Sequence, residues 1–184
     1  MVTKDDVDWF NSEEARRDHG VTPEEAAAME KLYQSAVAAG GEVRRAFAGV
    51  SLRDGIGLRE ADGMDDHRSE RELSALRETD EREDWSKISF DDLHRHAAGW
   101  WYMNAAGLLF HTPAFILADL ADESDWVMPF RLTTPSDKLD LLLNVLSRDQ
   151  KQAVRMFLTH CLQDEFHQSV HDAIRTSLDE IWSP

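Results

Sequence analysis

The sequence predicts a mostly α-helical fold, a single-domain bundle of six to seven helices with one glycine-rich loop at 49–66. Three observations carry this reading. Capping residues followed three positions later by an acid or amide recur at Thr22/Glu25, Ser69/Glu72, Ser89/Asp92 and Ser147/Gln150, which is the mark of helix starts. The apolar residues behind these caps return every three or four positions, the helical period. No internal repeat, low-complexity tract or linker divides the 184 residues.

Residues 1–20 read as a polar N-terminal leader with a short helix, anchored at most by Val7, Trp9 and Phe10, and residues 21–184 as one helical domain. Thr22 with Pro23 opens a strong helix, because proline at the first helical position gives up an N–H that has no partner there anyway. Met29, Leu32, Tyr33, Ala36 and Val37 form its apolar face, and Gly40-Gly41 is expected to interrupt or kink it before it resumes to Ala48. The glycines at 49, 55, 57 and 63 break any long helix, so 49–66 reads as an ordered loop, with a short strand pair drawn from Val50–Leu52 and Ile56–Leu58. Ser69 caps a charged helix to about Glu83 whose only strong apolar residues are Leu73 and Leu76, a surface helix.

From Ser89 the chain becomes more apolar. Leu93, Ala97, Trp100, Trp101, Asn104 and Leu108 fall within about a third of one helical circumference. Asn104 shares the tryptophan face, so its amide is expected to bond backbone in a neighbouring loop. Thr112-Pro113 reads as the start of a new helix to about Ala121, and Ser124 to Thr134 as irregular. Ser136 caps a helix with a stripe of Leu139, Leu142, Leu143 and Leu146. Ser147 opens the C-terminal helix or helix pair, carrying Phe157, Cys161, Ile174, Leu178 and Trp182 among others.

Composition narrows the function classes. A 42% hydrophobic content is too high for a disordered chain, and one cysteine excludes a disulfide framework. The start of the chain has no apolar stretch suited to a signal peptide, and no run of 18 apolar residues occurs, so a cytoplasmic protein with no membrane partner is expected. Thirty-six acids against 20 bases leave a formal charge of −16, which argues against nucleic-acid binding through phosphates.

Two constellations invite chemistry. His160, Asp164, His167 and His171 would project within about 60° of each other if one helix carried them all, a metal-ligand row to which His94 or His96 could add a donor. No recognised metal motif accompanies it, and half-buried core-edge histidines are the plainer reading; no cofactor is expected. Cys161 sits on the apolar face, where cysteine is usually an inert small hydrophobe. No nucleophile elbow, P-loop or dinucleotide fingerprint is present, and Asp62, Asp65 and Asp66 lack the spacing of a calcium loop. The second constellation is charge itself. Glu60 to Asp84 holds 11 acids and four bases, and Asp119, Asp122, Glu123 and Asp125 form a further acidic run without a base.

Ala46 to Val50 (Ala-Phe-Ala-Gly-Val), Asp54 to Ala61 (Asp-Gly-Ile-Gly-Leu-Arg-Glu-Ala), Arg77 to Asp80 with Trp85, and Gly107 to Ala114 (Gly-Leu-Leu-Phe-His-Thr-Pro-Ala) resemble an uncharacterised bacterial domain family of unknown function, over roughly residues 42 to 165. The resemblance implies no activity or ligand. Where its pattern leads one to expect an aspartate, this chain has Asn104, which removes a carboxylate there. It also resembles the small accessory proteins encoded beside bacterial toxins.

The expectation is therefore an acidic, non-enzymatic protein that neutralises a basic protein partner, as an immunity protein does a toxin. Asp62, Asp65, Asp66, Glu70, Asp80, Glu81, Glu83 and Asp84 would form its electrostatic face, with Trp85 as an aromatic anchor. The alternative is a metal-binding helical enzyme using the His160/Asp164/His167/His171 row. A third is oligomerisation through Trp100 and Trp101; the sequence leaves the oligomeric state open.

Overall fold

Eleven α-helices and three 3-10 turns make up the described part of the computed structural model, residues 3–121 and 128–183, and no strand occurs among them. The chain starts with α1 (Lys4–Phe10) and α2 (Glu13–Asp18). Thr3 and Asp6 form a capping box on α1, and Val7 and Ala15 are the buried residues of the pair. Helix α1 packs on the long α3 (Pro23–Ala46).

Helix α3 runs unbroken through Gly40-Gly41, contrary to the expected interruption. Burial explains this: a Cβ on Gly40 would lie 3.5 Å from Leu117 and 3.6 Å from Leu120, so tertiary contact overrides the weak helix propensity of glycine there. The partner helix is α7 (Ala105–Leu120), the centre of the molecule, with eleven buried residues that include Leu108, Phe110, Phe115 and Ile116. It contains Pro113 in its interior, so Thr112-Pro113 does not start a helix. The start lies at Asn104, whose side-chain oxygen accepts from Gly107 N–H at 2.9 Å and from Ile56 N–H at 3.1 Å. The amide thus joins α7 to the 54–56 loop, as its position in the sequence suggested.

No strand pair forms at 49–57. Instead Leu52 N–H donates to Arg82 C=O at 2.7 Å, and the chain then enters α4 (Leu58–Asp65), followed by α5 (Glu70–Thr79). The helix after Ser89 is also shorter than its apolar spacing suggests. It stops as α6 (Phe90–Arg95) and gives way to a 3-10 turn, Ala97–Tyr102, packed closely on α4. Gly99 marks the contact, since a Cβ there would stand 2.9 Å from Asp62 N and 3.0 Å from Leu58 O. As a result Trp100 is buried while its neighbour Trp101 is 43% exposed.

The C-terminal part comprises α8 (Met128–Thr133), α9 (Asp137–Val145), α10 (Arg148–Cys161), the 3-10 turn Glu165–Val170 and α11 (His171–Glu180). Helix α8 replaces part of the expected irregular segment, with Pro129 near its start, where a missing N–H costs little. Helix α9 lies on α7, α10 on α3, and α11 spans α8 and α10. Trp182 closes this end, donating its indole N–H to Leu132 C=O at 2.9 Å. One core of aliphatic and aromatic side chains joins α3, α4 and α6 through α11, with α5 outside it, so the architecture is a single all-helical domain.

Candidate functional site

The acidic stretch from Asp62 to Asp84 divides into carboxylates that build the fold and carboxylates that face outward. Asp80 belongs to the first group. It is 9% exposed, and its two oxygens accept from Arg59 N–H at 2.8 Å and Glu60 N–H at 3.2 Å, capping the start of α4 from 20 residues away. Burial holds its carboxyl above the usual carboxylate range, against the opposing pull of those two bonds. Gly57 makes room, because a Cβ there would fall within 2.1 Å of the carboxylate. Asp80→Ala is expected to destabilise the protein by about 1–3 kcal/mol, with Asp80→Asn, which keeps an acceptor, losing less; urea unfolding monitored by circular dichroism measures both.

Glu81 folds the next turn by accepting from the backbone N–H groups of Arg82, Glu83 and Asp84 at 3.1, 2.9 and 3.1 Å. These bonds, chiefly those from Glu83 and Asp84, keep it below the usual carboxylate range. Asp84 caps the 3-10 turn Trp85–Lys87 through Ser86 N–H at 3.1 Å. Trp85 is no surface anchor: it is 5% exposed and donates its indole N–H to Phe47 C=O at 2.8 Å. A tryptophan with few apolar residues around it in sequence looks exposed, and only the fold shows that α3 and α7 enclose it.

The remaining acids lie nearer the surface. Asp65, Asp66, Glu70 and Glu83 are exposed, and Asp62 is half-buried against His96 Nδ1 at 2.8 Å. The Asp65 carboxylate beside the Tyr102 phenol raises that phenol's pKa, and Asp66 pairs with Arg68 at 2.9 Å. Between α4 and α5 runs a cleft of about 500 Å³. Asp62, Asp66 and Glu72 stand on its rim with Arg59, Arg68 and His96, while Ala75 and Leu76 supply apolar lining. Asp62 and Asp66 are the two sequence-derived candidates it brings together; Glu72 joins them. Asp65, Glu70 and Glu83 lie outside its lining.

The histidine row does not survive as a row, because the helix ends at Cys161 and a 3-10 turn intervenes before α11. His171 turns back to close that break, donating Nε2–H to Cys161 C=O at 3.0 Å and Asp164 C=O at 3.2 Å. Asp164 caps the 3-10 turn through Phe166 N–H at 3.0 Å. His160 and His167 go inward instead, at 3% and 4% exposure. His167 Nε2 lies 3.0 Å from Asp119 Oδ1 at the end of α7, and Asp119 Oδ2 accepts from Met128 N–H at 2.8 Å. Ligand atoms of Asp119, Cys161 and His167 all lie within 4.8 Å of one another. Sequence reasoning missed Asp119 and Cys161 as partners of the histidines. The available signal was a carboxylate closing an otherwise apolar helix; its acidic companions Asp122, Glu123 and Asp125 lie outside the described residues.

Fold and sites together define a single-domain, all-helical protein with a surface cleft lined by both acidic and basic side chains and a buried Asp–Cys–His cluster, and no described helix is long and apolar enough to cross a membrane. The chain belongs to the family of unknown function DUF6714, which matches residues 38–184. No curated protein and no solved structure matches it.

Proposed function

We propose that this protein binds a basic protein partner, such as a bacterial toxin, and neutralises it through the α4–α5 cleft. The observation that supports this is the cleft's lining: three carboxylates, Asp62, Asp66 and Glu72, beside the apolar Ala75 and Leu76, with Arg68 and His96 as the internal partners that a ligand's cation would displace. A lysine or arginine side chain has the matching form, an aliphatic stem that prefers apolar contact and a cationic head that prefers carboxylates. The overall charge of −16 adds long-range attraction that speeds encounter with a cationic surface. In this reading Asp65, Glu70 and Glu83 steer the partner, while Asp80, Glu81, Asp84 and Trp85 hold the surface in shape.

The test is binding to the basic toxins encoded nearby, at low and high salt, by the unmodified protein and by the triple variant Asp62→Asn, Asp66→Asn, Glu72→Gln. The glutamine keeps the Ser69 cap, which accepts an amide as well as an acid. Affinity is expected to fall with salt and to drop roughly 10-fold or more in the variant. Salt-independent binding, or a variant that binds as well as the unmodified chain, refutes the cleft as the site.

A further inference from the structure

We infer that Asp119, Cys161 and His167 form a buried three-ligand site for one zinc-class divalent cation. This site is separate from the α4–α5 cleft and stands whether or not the cleft binds a partner. Three elements converge to build it: the end of α7, the last residue of α10, and the 3-10 turn that follows.

Donor chemistry points to the metal. One thiolate sulfur, one carboxylate oxygen and one imidazole nitrogen form a mixed set of the kind zinc accepts, and they match no all-oxygen calcium or magnesium cage. Two anionic ligands would balance a doubly charged ion, which matters where water does not reach. Donors round an ion at bond lengths of about 2.0–2.3 Å stand roughly 3.3–3.7 Å apart, so the widest separation here, up to 4.8 Å, must close by about 1 Å while the His167–Asp119 pair at 3.0 Å opens by a few tenths.

Two further observations concern the nitrogens. His160 is 3% exposed and its Nδ1 has no hydrogen-bond partner, an arrangement that normally costs free energy unless something else accepts the lone pair or the proton. His160 directly precedes Cys161 in α10, so it borders the cluster without being one of its three ligands. In His167, Nε2 faces Asp119 while Nδ1 lies 3.8 Å from Asp164 Oδ2. At that distance Nδ1 is buried without a hydrogen-bond partner, and a small shift toward Asp164 would supply the outer carboxylate that commonly orients a ligating histidine.

The experiment uses the full chain, stripped with a chelator and titrated with zinc alone by calorimetry, then with cobalt(II) alone by absorption spectroscopy. The expected result is one metal per chain and a thiolate-to-cobalt charge-transfer band in the near ultraviolet. Cys161→Ser abolishes that band, and His167→Gln weakens zinc binding by more than the roughly 10–100-fold that outer-shell changes cause. Asp164→Asn, which keeps its cap acceptor, falls within that range, and His19→Gln on the surface changes nothing. Three results overturn the inference: no stoichiometric metal on the unmodified chain, cobalt bound without a thiolate band, or unchanged affinity in both Cys161→Ser and His167→Gln. The cobalt spectrum of the unmodified protein decides the matter even if a variant fails to fold.

Discussion

Trp100→Ala is expected to destabilise the protein by about 3–5 kcal/mol, the cost of removing a large buried aromatic and leaving a cavity. Trp100 is 1% exposed and meets Phe115 edge to face, with ring centroids 5.5 Å apart. The upper part of that range is expected because a buried cation depends on the same ring. The Arg131 guanidinium lies 4.9 Å from the Trp100 ring and 5.1 Å from Phe115, while its Nη2–H donates to Ala97 C=O at 3.1 Å. Burial lowers the Arg131 pKa to about 10, a sign that its charge is held in a poorly solvating place. Losing the tryptophan face removes part of what compensates for that. Chemical denaturation of Trp100→Ala measures the effect, and Trp100→Phe, which keeps an aromatic face, is expected to retain much of the lost stability.

A second large effect follows from pH. His111 is 1% exposed, its Nδ1–H donates to Gly107 C=O at 2.7 Å, and burial depresses its pKa from 6.5 to about 4. The unfolded chain takes up this proton near pH 6.5, whereas the folded one resists until about pH 4. Stability from neutral His111 is therefore complete above pH 6.5 and lost as the pH falls from 6.5 towards 4, amounting to about 3 kcal/mol. Unfolding free energies measured across that window should fall accordingly. His111→Gln, which can still donate to Gly107, should flatten the profile by this amount; an unchanged slope would show that His111 titrates freely. Asp80 contributes with the opposite sign: its raised pKa means that protonating it in acid relieves a burial cost. The comparison with His111→Gln separates the two.

Local chemistry made the helix starts legible. The boxes at Thr22, Ser69 and Ser147 all form, because cap and N3 residue lie three positions apart and need no tertiary partner. Helix ends and breaks were less legible, since they depend on what lies across the interface. Gly40 stays helical because α7 packs against it, Pro113 is carried inside α7, and the break near Gly99 reflects the backbone of α4 pressing close. The candidate sites show the same division. That Asp62 and Asp66 stand on an open edge follows from a charged, weakly apolar neighbourhood. That Asp80 and Trp85 turn inward does not, because their partners are a helix start and a carbonyl 20 and 38 residues away. The histidine row failed for a related reason: its geometry assumed one continuous helix, and the break after Cys161 brought His167 to Asp119 and turned His171 back to the backbone.

Helix α5 has no buried residue, whereas α4 is fixed on its other side by the Trp100 turn and at its start by Asp80. The two walls of the cleft therefore differ in compliance. Segments with few buried contacts open locally at a small fraction of the global unfolding free energy. The α5 wall can yield to a side chain of varied size while the α4 wall keeps Asp62 and Asp66 in register, so a partner bound as proposed would be selected more by its charge than by its bulk.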